Sequence, residues 1–163
     1  MIEVSQPENT KKLRELILRC PAFLSDDFIP SKYTCDGDNV SPPLDIDQIP
    51  KDAKSFAIIV DDIDAPGGSF VHWIAWNIPI KHHLHENEVH GNEGRNDSGQ
   101  QHYSGPCPPS GIHRYYFKIY ALDDLLMLPP ETNKEQLLKA MEEYIIAYGE
   151  LIGLYESQGG RGK

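Results

Sequence analysis

Apolar and polar positions change rhythm several times along the 163-residue chain. Leu13, Leu16 and Ile17 recur at helical spacing within residues 8–20, with Asn9 or Thr10 as an N-cap. They predict a short amphipathic helix in an N-terminal arm spanning residues 1–19. Residues 21–50 are dense in Pro, Asp, Ser and Gly and predict turns with short extended pieces. Residues 55–60 form a continuous apolar run, the mark of a strand buried on both faces. Residues 70–78 alternate, with Phe70, His72, Ile74, Trp76 and Ile78 on one face and Val71, Trp73, Ala75 and Asn77 on the other. Residues 114–122, rich in Tyr and Phe, keep the same period of two. Between these last two strands lies a polar stretch, residues 81–111, of a length that in compact folds is usually functional or mobile.

Pro129 and Pro130 stop what precedes them, and Thr132 with Glu135 has the spacing of a capping box. Leu137, Leu138, Met141, Ile145, Tyr148, Leu151 and Ile152 follow as an apolar stripe, predicting one long C-terminal helix. Residues 157–163 are Gly-rich and read as a frayed tail. Strands first and a helix last predict a mainly β domain over residues 1–163, with helices packed at its margin.

Charge narrows the function. Asp and Glu outnumber Lys and Arg by 25 to 15, a formal net charge of −10. No run of Lys or Arg offsets this field, which repels nucleic-acid phosphates and anionic membrane surfaces, so no nucleic-acid partner is expected. The longest mostly apolar stretch, residues 69–80, is too short to span a bilayer. Cys20, Cys35 and Cys107 are odd in number and match no zinc ribbon or redox pair, so at least one is free or bonds between molecules. With a polar N-terminus lacking a leader pattern, this predicts a cytoplasmic protein in a reducing compartment.

Two stretches carry candidate chemistry. In the first, Asp61, Asp62 and Asp64 end the apolar run, and Ala65, Pro66, Gly67 and Gly68 turn the chain back toward His72. A carboxylate at one strand end and an imidazole on its neighbour converge to hydrogen-bond distance. Asp side chains capping turn amides are the simpler reading of the same residues. In the second, Gly105, Pro106, Pro108 and Pro109 form a rigid loop around Cys107, and His113 and Tyr115 share a face just beyond it. A stiff connection and a packed tyrosine would leave the same trace. Two Asp and two His also have ligand chemistry, but no HxH or HExxH spacing supports a metal, and no cofactor is expected. Cys107 lies six residues from His113, leaving a Cys–His pair open, while Cys35 fits a small buried residue at a turn. His82, His83, His85 and His90 read as a solvated, titrating loop.

Ile29-Pro30-Ser31-Lys32-Tyr33-Thr34-Cys35-Asp36-Gly37 and Asn39-Val40-Ser41-Pro42-Pro43-Leu44 resemble the opening of the phosphatidylethanolamine-binding protein family, in its bacterial and archaeal, Raf-kinase-inhibitor-like branch. Asp62-Ile63-Asp64-Ala65-Pro66 is similar to that family's Asp-Pro-Asp-Ala-Pro signature. His72-Trp73 with Asn77-Ile78-Pro79, the block from Gly105 through Tyr115, and Tyr120-Ala121-Leu122-Asp123 match its later segments. The resemblance implies an antiparallel β-sandwich, a large sheet with a smaller one packed on it, plus peripheral helices. It also implies a small anion pocket lined by Asp62, Asp64, His72, His113 and Tyr115, with Gly105 and Pro106 on its rim and Tyr155 closing it. Ile63 departs from the signature by restoring a backbone amide. Tyr144 stands where relatives often carry His, and the arm before residue 20 is long for the family.

The expected mechanism is that Asp62 or Asp64 orients His72 or His113, and the imidazolium, the Tyr115 hydroxyl and loop amides donate to a phosphate. The resulting reading is a non-enzymatic module for a phosphate-bearing ligand. A kinase or protease inhibitor acting through its surface is the alternative, and an Asp/His metal-dependent hydrolase the third.

Overall fold

The computed structural model describes residues 12–156. In chain order the elements are β1 (Arg14–Glu15), β2 (Ile17–Arg19), β3 (Asp27–Phe28), a 3-10 turn (Ser31–Tyr33), β4 (Leu44–Asp47), β5 (Ser55–Asp62), β6 (Phe70–Ile78), β7 (His83–Leu84), β8 (Asn92–Glu93), β9 (Ile112–Leu122), α1 (Lys134–Met141) and β10 (Ile145–Glu156). The large sheet runs β1-β10-β9-β5-β6-β8, with β3 also pairing β10, and the small sheet runs β2-β4-β7. The small sheet is antiparallel. The large one is mixed, because β1 and β3 join β10 in parallel.

The apolar run becomes β5, whose every residue is buried, because it lies between β9 and β6 and is covered on both faces. On one face, Phe56, Ile58, Val60, Phe117 and Ile119 pack against Leu18, Leu44, Ile46 and Leu84 of the small sheet. On the other, Ala57, Ile59, Ile74 and Trp76 meet Leu137 and Met141 of α1. The expected sandwich with a peripheral helix is therefore present.

Three local expectations are corrected. Around residues 13–17 the chain forms β1 and β2 rather than a helix, and Leu16, Leu18 and Cys20 are buried at a spacing of two. Residues 14–19 are thus built into the two sheets, since β1 pairs β10 and β2 pairs β4. The proposed N-caps Asn9 and Thr10 and the tail at 157–163 lie outside the described residues.

The C-terminal helix is much shorter than the stripe predicts. α1 ends at Met141, and Ile145, Tyr148, Leu151 and Ile152 belong to β10. Its capping box is made by Asn133 and Gln136, not by Thr132 and Glu135. In β6, finally, two register shifts against β5 break the simple alternation. Trp73, Ala75 and Ile78 join the inner core while Val71, Ile74 and Trp76 face α1. The shift between Val60 and Asp61 leaves His72 as the extra residue of β6.

Candidate functional site

The site lies where β5 ends, β6 begins and β9 begins. Register sets Asp62 opposite Tyr115 on one side and Phe70 on the other, and His113 opposite Tyr155 of β10. Alternation along β9 sends His113 and Tyr115 to the same buried face. The bulge at His72 aims its ring at the same place, 5.4 Å from the Tyr115 ring, with His113 stacked 6.4 Å from Tyr115 on the other side.

Asp62 is the anchor. One carboxylate oxygen accepts from His113 Nδ1 at 2.6 Å, and the other accepts from the Asp64 amide at 2.8 Å. The Ile63 amide restored at the departure from the family signature donates to the Arg114 carbonyl at 3.3 Å, so it continues the β5–β9 pairing and holds Asp62 in place. His72 has a different partner: its Nδ1 lies 2.6 Å from the Ser104 carbonyl, while the Ser104 amide donates back to the His72 carbonyl. Burial pushes the His72 pKa down, outweighing the raising effects of the Ser104 hydrogen bond and of the Asp62, Asp61 and Asp97 carboxylates. Tyr115 is fully buried, and its hydroxyl has no partner at hydrogen-bond geometry. Burial first, and the nearby Asp62 carboxylate second, push its pKa up.

The 104–108 loop is fixed from behind. Cys107 is disulfide-bonded to Cys35, the Cys35 amide donates to the Pro106 carbonyl, and the Gly105 amide donates to Asn39 Oδ1. A Cβ on Gly105 would stand 2.3 Å from the Tyr33 carbonyl, so the close approach of these segments requires glycine. The disulfide, which the sequence analysis did not anticipate, rules out a Cys107 thiol paired with His113 and replaces the reading of Cys35 as a plain turn residue. It also removes the cysteine argument for a reducing compartment. The free cysteine is Cys20, which is buried.

Of the expected site residues, Asp62, His72, His113 and Tyr115 come together with Gly105 and Pro106 beside them. Two do not take their expected places. The Asp64 carboxylate is turned to Arg114, accepting from its backbone amide, Nε and Nη2 at 2.8–2.9 Å, and the guanidinium holds the Asp64 pKa down at about 2. Tyr155 neighbours His113, but its hydroxyl donates to Asp36. The loop offers few amide donors, because the Gly105 N–H is taken and Pro106, Pro108 and Pro109 have none. The cluster is nearly closed, His72 being 6% and His113 7% exposed. Two hollows of about 270 and 220 Å³ lie elsewhere, one beside Leu16 and Gly149 and one beside Ser41 and Glu93. Among the described residues no three His, Cys, Asp or Glu side chains group to hold a metal ion.

A family model described as phosphatidylethanolamine-binding protein matches residues 20–156. The chain belongs to the phosphatidylethanolamine-binding protein family. Its relatives include a UPF0098 protein of Pyrococcus abyssi, 50% identical over 87% of this chain and 86% of that one. A UPF0098 protein of Methanothermobacter thermautotrophicus is 49% identical over 85% and 97% respectively. Among solved structures, a phosphatidylethanolamine-binding protein homologue from Chlamydia trachomatis superposes with a TM-score of 0.85 at 41% identity, covering 88% of this chain and 99% of the other. E. coli YbcL, described as a new member of the mammalian PEBP family, gives a TM-score of 0.81 at 28% identity, covering 89% and 100%. No helix among the described residues is long and apolar enough to cross a membrane.

Proposed function

We propose that the chain is a non-enzymatic binding module for a phosphate-bearing ligand, taken at the Asp62–His113 pair with His72 and Tyr115. The observation that carries this reading is a buried tyrosine hydroxyl without a partner between two oriented imidazoles. A buried donor left unpaired is costly, and an acceptor oxygen placed against it removes that cost. Asp62, held by two hydrogen bonds, fixes the orientation of the His113 ring toward the site. No free thiol stands beside this pair, Cys107 being bonded to Cys35, which favours binding over covalent catalysis. With so few donors, affinity for simple phosphate is modest, about millimolar or −4 kcal/mol.

The test is to follow histidine ring NMR signals while titrating inorganic phosphate and then phosphoethanolamine near pH 6.5. Saturable shifts are expected for His72 and His113 among the seven histidines, and their loss in His113→Ala. Unchanged saturable binding in His113→Ala overturns the reading and leaves the surface-mediated inhibitor as its replacement.

A further inference from the structure

We infer that the Cys35–Cys107 disulfide is a redox-modification site, a latch opened by a dithiol reductant and closed again by its oxidised form. Opened, it frees the 104–108 loop from the cluster of Asp62, His72, His113 and Tyr115 while the sandwich stays folded. The latch acts on that cluster whatever ligand the cluster takes.

The bond stands where a thiol can reach it. Cys107 is exposed and Cys35 half-buried, and both lie outside the strands. Cys20 does not compete in the exchange. It is buried, and burial pushes its thiol pKa up, so little thiolate forms there to attack the pair.

Both ends of the bond are tied to the cluster. On the Cys107 side, the Ser104 carbonyl lies 2.6 Å from His72 Nδ1, and the Cys107 backbone faces the Tyr115 hydroxyl. On the Cys35 side, the next residue, Asp36, accepts from the Tyr155 hydroxyl, and Tyr155 lies opposite His113. Pro106, Pro108 and Pro109 have fixed φ, so the residues around Cys107 move as a unit. A change at the sulfur is carried to the backbone that covers His72 and Tyr115.

Backbone amides also hold the loop. The Cys35 amide donates to the Pro106 carbonyl, the Gly105 amide to Asn39 Oδ1 and the Ser104 amide to the His72 carbonyl. The first two join segments that the disulfide brings together across a separation of 72 residues. With the bond closed, each segment sits beside the other at high effective concentration, and a broken hydrogen bond re-forms at once. With it open, the same hydrogen bonds must close a long loop by themselves, and they fray. The strands do not share that dependence, because β9 pairs with β5 and β10 through residues the disulfide does not touch.

The exchange balances in two steps. One thiolate of the reductant attacks the exposed Cys107 sulfur. The Cys35–Cys107 bond breaks, and the Cys35 sulfur leaves as a thiolate that takes up a proton. The reductant's second thiolate then attacks the reductant sulfur of the mixed disulfide, closing the reductant's own disulfide. Cys107 leaves as a thiolate and takes up a second proton. The protein gains two electrons and two protons, and the dithiol gives up both.

The experiment equilibrates the full chain, without denaturant, in mixtures of reduced and oxidised dithiothreitol and follows amide exchange and histidine ring NMR signals. Reduction should accelerate exchange at the Cys35, Ser104 and Gly105 amides about tenfold or more, with the Ile58 and Phe117 amides still protected. Opening hydrates His72, whose pKa burial holds down, so its titration midpoint should rise. Asp61, Asp62, Asp97 and Tyr115, which face that ring, are not on the 104–108 loop. Reoxidation should restore the starting signals, and Cys35→Ser/Cys107→Ser should reproduce the reduced spectrum and ignore the reductant. A bond that dithiothreitol leaves intact in the folded chain overturns the latch. So does reduction that leaves the loop amides and His72 unchanged. Loss of protection at Ile58 and Phe117 together with the loop overturns it too, and makes the bond a staple of the whole fold. None of these readouts uses phosphate, so a failed latch leaves the phosphate reading standing, and a cluster that binds no phosphate leaves the latch standing.

Discussion

Asp62 and Asp64 stand two residues apart, and the fold gives them separate tasks. Asp62 orients an imidazole, while Asp64 clamps the turn after β5 to Arg114 at the start of β9. The folded Asp64 carboxyl titrates at about 2, below its ordinary 3.8. The pair's stabilisation is therefore present above about pH 4 and is lost as pH falls from there toward 2. Arg114 is half exposed, so solvent screens the pair and keeps its contribution small. Asp64→Asn should lower the urea midpoint slightly at pH 7 and by less at pH 2, where the carboxyl is about half protonated, with the phosphate response of His113 retained. A deficit undiminished at pH 2 would mean the carboxylate charge is not its cause. Much at this scale was legible in the sequence. Strand alternation alone places His113 with Tyr115, and Asp62 both caps a turn amide and meets an imidazole, so the two readings of the Asp-rich turn are one arrangement. Which way Asp64 faces was not legible, because a turn has no period from which to read it.

Residues 137–152 show why one element was misread. The stripe of large apolar residues runs through α1 and on into β10, while the residues that face the inner core of β10 are Ala147, Gly149, Leu151, Gly153 and Tyr155. Three of these are too small to register in a hydrophobic pattern, so the period of two is hidden and the helical one seems to continue. They are small because other segments lie directly on the strand: a Cβ on Gly153 would stand 2.5 Å from Ile29. The Cys35–Cys107 bond was hidden for another reason, since three cysteines fix only that one is left over. That bond joins residues 72 apart and holds the site loop to the turn after the 3-10 segment. Closing a loop of that length is worth about 4 kcal/mol in the chain-entropy description. The double variant Cys35→Ser/Cys107→Ser should lose roughly that much in denaturant unfolding, and reductant should then have no additional effect on it. A loss below about 1 kcal/mol would show that hydrogen bonds such as Cys35 amide to Pro106 carbonyl hold the loop unaided.

One short stretch of chain near the N-terminus pairs with both sheets. Residues 14–19 pair first with β10 of the large sheet and then with β4 of the small one, and between them the Leu16 amide donates to the Tyr148 carbonyl. This crossing needs the backbones in contact, and Gly149 permits it: a Cβ there would lie 2.4 Å from the Leu16 carbonyl oxygen. Both partners are backbone, so no side chain can swing away to relieve the clash. Gly149→Ala should therefore destabilise the protein by about 1–3 kcal/mol, the range of overpacked interior sites. The loss should be local in origin. Gly149 faces Ile119 in the middle of β9, whereas the site is built where His113 faces Tyr155, six residues and roughly 20 Å further along the strand. Hydrogen exchange should accelerate first at Leu16 and Leu18, with the amides of Ile63 and Arg114 still protected and the His113 response to phosphate retained at temperatures where the variant is folded. Simultaneous loss of protection at both ends would mean that the layers open as one unit and that the site depends on the whole sandwich, not on the four strand ends that carry it.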